Sequence, residues 1–164
     1  MNIDINKYPV RRSNPILMGS YGLPKGTERY VVKGRGSIGI DLDKGDQLYL
    51  KNLEGNQICE ITIFDNKGKN NQNIIDKKNI IENSFFKKIL HKNFDKLFLI
   101  QKLKKKNIDL KSFSSTIIFS ENSKRNDSEE ILINEDCFII LACPGKNMIV
   151  GNQNPPTDIE VIVK

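Results

Sequence analysis

Apolar residues return at every second position through much of this chain, and that period predicts β-strands. Ser37-Ile38-Gly39-Ile40-Asp41-Leu42 alternates small or polar with apolar residues. The pattern resumes over 47–53 after the turn Asp43-Lys44-Gly45-Asp46. Strands are also predicted at 29–33, 57–64, 115–119, 130–133 and 158–163, each bounded by Gly, Asn, Asp or Ser. The segment Cys137-Phe138-Ile139-Ile140-Leu141-Ala142 is almost wholly apolar, which predicts a central strand buried on both faces and ended by Pro144-Gly145. The first four strands follow one another at spacings near ten residues, the rhythm of a sandwich or barrel meander.

The period changes in the middle. Residues 66–83 are rich in Asn and Lys and predict a loop, and 120–128 predicts a polar turn. From Ser84, a suitable N-cap, Phe86, Leu90, Phe94, Leu97, Phe98 and Leu103 recur at three- and four-residue steps. That stripe predicts a helical insertion at about 84–106, ended by Lys104-Lys105-Lys106-Asn107, where cations suit the helix dipole. Strands on both sides of one insertion define an α+β, mainly β domain over 30–164, its sheet built from both ends of the chain. Residues 1–29, with Pro9, Pro15 and Pro24, read as an extended arm that packs on the body or on a second copy, so a homodimer is compatible with it.

Length and charge change the picture only in part. A chain of 164 residues suits one domain. It has no apolar run near the roughly 20 residues that cross a bilayer. Its N-terminus has no signal-peptide core, so no membrane partner and a cytoplasmic location are expected. The net charge of +6 comes from the middle, where 66–125 carries 15 Lys+Arg against 5 Asp+Glu and the rest carries 11 against 15. A basic helix invites a nucleic-acid reading, but its aromatics fall on the apolar stripe and not among the lysines. Docking to an acidic protein or neighbouring domain through the face running from Lys87 to Lys106 fits better.

No complete catalytic constellation is present. Three cysteines in a chain without a secretion signal read as reduced thiols: Cys59 and Cys137 as small core residues, and Cys143 as core or as the thiol best placed for exposure. His91 is the only histidine and sits among lysines, and paired Cys or His at zinc-site spacing is absent, so no metal site is expected. What remains is a set of polar groups on turns and strand ends: Gln57, Glu60, Asn154, Thr157 and Asp158, together with Cys143. The turn Asn154-Pro155-Pro156-Thr157-Asp158 has two fixed φ angles and holds its flanks stiffly, either as a turn capped by Asp158 or as the rim of a pocket. In the pocket reading, Gln57 and Glu60 accept hydrogen bonds from a small-molecule ligand.

The same segments resemble the urea carboxylase-associated domain family, in the form found as the N-terminal domain of aminomethyltransferase (glycine-cleavage T-protein-like) proteins. The matching stretches are Tyr30 to Gly36, Lys44-Gly45-Asp46, Glu54-Gly55-Asn56-Gln57-Ile58-Cys59-Glu60 through Asp65, Ile118 to Ser123, Ala142-Cys143-Pro144-Gly145-Lys146-Asn147-Met148 and Asn154 to Ile159. The resemblance implies a β-sandwich-like or barrel-like fold and a place in one-carbon or amine metabolism. It departs from the stand-alone members, which carry a Gly-x-His-Asp segment and further cysteines suited to a metal. No cofactor is expected in this chain, and tetrahydrofolate would belong to a full-length fused protein.

Three function classes follow from the sequence. The first is an accessory or small-molecule-binding domain of an aminomethyltransferase-like protein, with a small molecule or the neighbouring aminomethyltransferase domain as partner. The second is a small metal-assisted hydrolase or isomerase using Cys59, Glu60 and Cys143. The third is an electropositive protein-interaction module.

Overall fold

A computed structural model describes residues 23–75, 80–81, 101, 103–108, 113–145 and 155–164. Among these residues nine strands run in chain order: β1 (Glu28–Val32), β2 (Ser37–Leu42), β3 (Gln47–Asn52), β4 (Cys59–Asp65), β5 (Ile80–Ile81), β6 (Ser115–Phe119), β7 (Asp127–Leu132), β8 (Cys137–Ala142) and β9 (Ile159–Val163). They form two antiparallel sheets, ordered β1-β9-β3-β7 and β2-β8-β4-β6-β5. The domain is therefore mainly β and sandwich-like, with both ends of the chain in each sheet: β1 lies beside β9, and β2 beside β8.

The connectivity is not the meander that the strand spacing suggested. Each of the first four strands pairs with a strand from the second half of the chain, and these four alternate between the sheets. Regular spacing reports turn frequency and carries no information on which strand finds which. The hydrophobic pattern does explain why the sheets face each other. Leu48 and Leu50 of β3, with Val161 and Val163 of β9, point inward against Ile61 and Ile63 of β4 and Ile139 and Leu141 of β8, all within one buried cluster.

β8 is buried along its whole length, as its unbroken apolar run predicts. Its alternate residues Phe138, Ile140 and Ala142 point away from the sandwich into a second cluster with Phe64, Leu103, Ile108 and Phe113. Phe64 and Phe113 meet edge to face, their centroids 6.1 Å apart.

Of the helical insertion expected at 84–106, positions 84–100 and 102 lie outside the described residues. Gln101 and 103–105 are helical, and Leu103 of the predicted stripe is fully buried. The helix ends where the lysine run predicted. Asn107 turns left-handed (φ 54°) and donates to the Lys104 carbonyl at 3.0 Å, and Ile108 donates to Leu103 at 3.1 Å. This is a Schellman closure, sealed by the buried pair Leu103 and Ile108.

Two expectations at the strand level need correcting. The stretch 66–83 is not loop throughout: Gln72–Ile74 is a 3-10 turn capped by Asn71, and β5 pairs Ile80 with Thr116. β7 begins at Asp127, inside the segment expected to be a polar turn, because its main chain completes a ladder with β3 from Asn52↔Asp127 to Gln47↔Leu132. An edge strand with one wet face tolerates the Asp, Ser and Glu that made it read as loop.

Candidate functional site

The end of the sandwich where β3 and β8 finish and β4 and β9 begin holds a cavity of about 180 Å³. Its walls are the turn 54–58, Pro144 and the segment 155–157. Both sheets contribute, so the cavity exists only because distant segments converge.

The turn is built first. Gly55 (φ +82°) and Asn56 (φ 56°) are both left-handed. A Cβ on Gly55 would stand 2.8 Å from the Arg125 nitrogen, so the turn requires glycine there. Asn52 braces it from below. Its Oδ1 accepts from Gly55 N at 2.9 Å, and its Nδ2 donates to the Gln57 carbonyl at 3.0 Å and to Ser123 Oγ at 2.8 Å. Asn56 N donates to the Ser123 carbonyl at 2.8 Å. Asn52 and Ser123 are fully or nearly fully buried and were missed by sequence reasoning. One signal was available: Asn52 occupies the inward position that Leu48 and Leu50 predict to be apolar.

Gln57 then ties three segments together. Its Nε2 donates to the carbonyls of Ile58 and Pro144, both at 2.9 Å, and its Oε1 accepts from Thr157 N at 2.9 Å. Gln57 is thus a cavity-wall residue whose amide is committed to main-chain groups. Thr157 is the other predicted residue that lines the cavity. Its Oγ1 is buried and, among the described residues, has no hydrogen-bond partner. Such a hydroxyl costs free energy unless something fills its hydrogen-bonding capacity.

The remaining predicted residues lie around this wall. Asp158 does not cap its own turn. It reaches to the turn that follows β1, accepting from Gly34 N at 3.1 Å and from Lys33 Nζ at 2.6 Å. The Lys33 hydrogen bond holds the Asp158 carboxyl below its usual range. Gly34 is required at this contact, since a Cβ there would stand 2.6 Å from the Pro156 carbonyl carbon. Glu60 is buried and, by strand alternation, faces away from the sandwich on the side of Thr62 and Phe64, off the cavity wall. Asn154 lies outside the described residues.

All three cysteines are buried and none is in a disulfide. Cys143 is fully enclosed, so the exposed-thiol alternative does not apply. Cys59 stands against it, and the hydrogen bond to Cys143 together with burial raises the Cys59 thiol well above the ordinary range. Cys137 is remote from the pair, at the opposite end of β8 facing Asp65. Burial, with Asp136, Asp46, Asp41 and Glu135 nearby, pushes its thiol up to about 12. Among the described residues no third His, Cys, Asp or Glu joins Cys59 and Cys143 in one ligand group. Two thiols alone are an incomplete ligand set for a protein-held metal ion.

The fold and this wall define a two-sheet antiparallel β-sandwich with a small mixed polar and apolar cavity at one end. No family model matches the chain. It is similar to the trimethylamine-oxide aldolase of Ruegeria pomeroyi, at 28% identity over 145 residues. The similarity covers 88% of this chain and 18% of the aldolase, so the chain spans less than a fifth of that protein. Among the described residues no helix is long and apolar enough to cross a membrane.

Proposed function

We propose that this chain is a small-molecule-binding domain of an aminomethyltransferase-like protein of amine or one-carbon metabolism, acting as an accessory to catalysis performed elsewhere. The observation that carries this reading is the buried, unpartnered Thr157 hydroxyl beside a cavity that Thr157 itself helps to line. A cavity of about 180 Å³ suits a ligand the size of a small amine, since an apolar cavity of about 150 Å³ admits benzene. Pro144, Pro155 and Pro156 offer apolar walls, and the exposed Glu54 carboxylate at the rim suits a cationic nitrogen. A rotation of the Thr157 side chain toward the cavity would let its hydroxyl donate to, or accept from, the polar end of the ligand.

The likeness to an aldolase that acts on an amine oxide supports this ligand class. The small share of that protein that is matched supports a domain role. Tetrahydrofolate chemistry, where a fused protein uses it, would belong to the rest of that protein.

Isothermal titration with trimethylamine N-oxide, trimethylammonium and a folate, on the wild type and Thr157→Val, tests the reading. The expected result is saturable binding of an amine or amine oxide that falls at least tenfold in Thr157→Val. No binding from the whole panel, or binding that Thr157→Val leaves unchanged, overturns the site. Aldolase, methyl-transfer or hydrolase turnover by this chain alone overturns the accessory role.

A further inference from the structure

Cys59 and Cys143 meet under the cavity floor. The β4–β8 ladder ends with Glu60 opposite Ala142; extending that register by one residue sets Cys59 opposite Cys143, and the hydrogen bond between the two thiols agrees with it. Cys143 directs both main-chain groups toward β2, donating to the Gly36 carbonyl at 3.0 Å and accepting from Arg35 N at 2.8 Å. The Cys59–Cys143 pair is therefore of the non-hydrogen-bonded kind, in which the Cα atoms lie about 4.5 Å apart and the side chains are at their closest. That separation falls inside the span of about 4.4–6.8 Å that a disulfide bridges without moving the backbone. Both side chains are fully enclosed and in contact, and both face the core shared by the sheets.

The neighbours of the pair give it a consequence. Ile58 and Pro144, the residues next to Cys59 and Cys143, line the cavity, and the Gln57 amide already joins their carbonyls. We propose that Cys59 and Cys143 are an oxidisable dithiol that closes to a disulfide and clamps the cavity floor where Gln57 now holds it by hydrogen bonds alone.

The oxidant is a hydroperoxide. One cysteine, as its thiolate, attacks the O–O bond, forming a sulfenic acid and releasing an alcohol or water. The second thiol displaces water from that sulfur and forms the S–S bond. Two electrons and two protons leave the thiols, and the peroxide is reduced. Enclosure and the raised Cys59 pKa keep the thiolate scarce, so the pair closes slowly, under sustained oxidation. Because the two positions already face each other, closure needs no change of register. This inference does not depend on the ligand class proposed above.

The test is prolonged hydrogen peroxide treatment of the native full chain, followed by denaturing alkylation and peptide mapping. Untreated protein should take up label at all three cysteines. Treated protein should lose two hydrogens, keep only Cys137 reactive and yield a peptide cross-linked between Cys59 and Cys143. Hydrogen exchange at 56–60 and 141–145 should slow in the oxidised form. Cys137→Ser should oxidise like the wild type. Three reactive thiols after treatment, or a cross-link through Cys137, overturns the pairing. A Cys59–Cys143 cross-link with unchanged exchange overturns the clamp.

Discussion

The amide of Gln57 donates to the carbonyl of Pro144 at 2.9 Å across 87 residues of sequence. That bond joins the start of β4 to the end of β8, and the same side chain accepts from Thr157 ahead of β9. One residue thereby fixes the relative position of three chain segments from both sheets.

Gln57→Ala is expected to destabilise the fold by about 2–4 kcal/mol. It removes the partner of three main-chain groups around a side chain that is only 3% exposed. Urea denaturation monitored by circular dichroism measures this. A change below about 0.5 kcal/mol, the level of an ordinary surface substitution, would show that Gln57 is not the brace.

Gly34→Ala should act on the cavity through Pro156. The added methyl would stand 2.6 Å from backbone carbon, which cannot swing aside as a side chain end can. A loss of about 1–3 kcal/mol is expected, as for other overpacked sites. Slower or faster amide exchange confined to Thr157 and Asp158 would locate the shift, since the prolines before them carry no amide hydrogen, and a wild-type melting temperature would rule the clash out.

The two faces of the sandwich should respond very differently to truncation. Ile139→Ala, at a fully buried position between the sheets, should cost about 2–5 kcal/mol. Leu132→Ala, 55% exposed on the edge strand β7, should stay within about 0.5 kcal/mol of wild type. Equal losses at the two positions would contradict the inter-sheet core.

Acid should release the Asp158 tether. The Lys33 hydrogen bond lowers the folded pKa below its ordinary value of 3.8, so the contribution is present above that value. It is lost as the pH falls through the folded value. Asp158→Asn should therefore narrow the stability difference between neutral and strongly acidic solution. Because the Lys33 side chain is 75% exposed, high salt should weaken the tether as well. An acid profile identical in wild type and Asp158→Asn would remove this assignment.

Local pattern was enough for most of the strands. β2, β6 and β8 lie where alternation or an unbroken apolar run places them, because side-chain burial repeats with the pleat of a strand. The turns at Gly45 and Gly55 were legible for a similar reason, since both positions adopt φ angles that glycine reaches without strain. β7 was partly hidden, because an edge strand's main-chain ladder leaves its polar side chains in water.

The sequence by itself determined a mainly β domain with an apolar β8 and a stiff Pro155-Pro156 segment, all of which depend on neighbours a few residues apart. Tertiary structure alone decided that β1 pairs with β9 and β2 with β8, and therefore which turns share one end of the sandwich. It also decided that Gln57 is spent on bracing, that Thr157 keeps a buried, unpartnered hydroxyl beside the cavity, and that Cys59 faces Cys143. These relationships rest on contacts across tens of residues, and strand partners are chosen by the packing of whole sheet faces, which no local window contains.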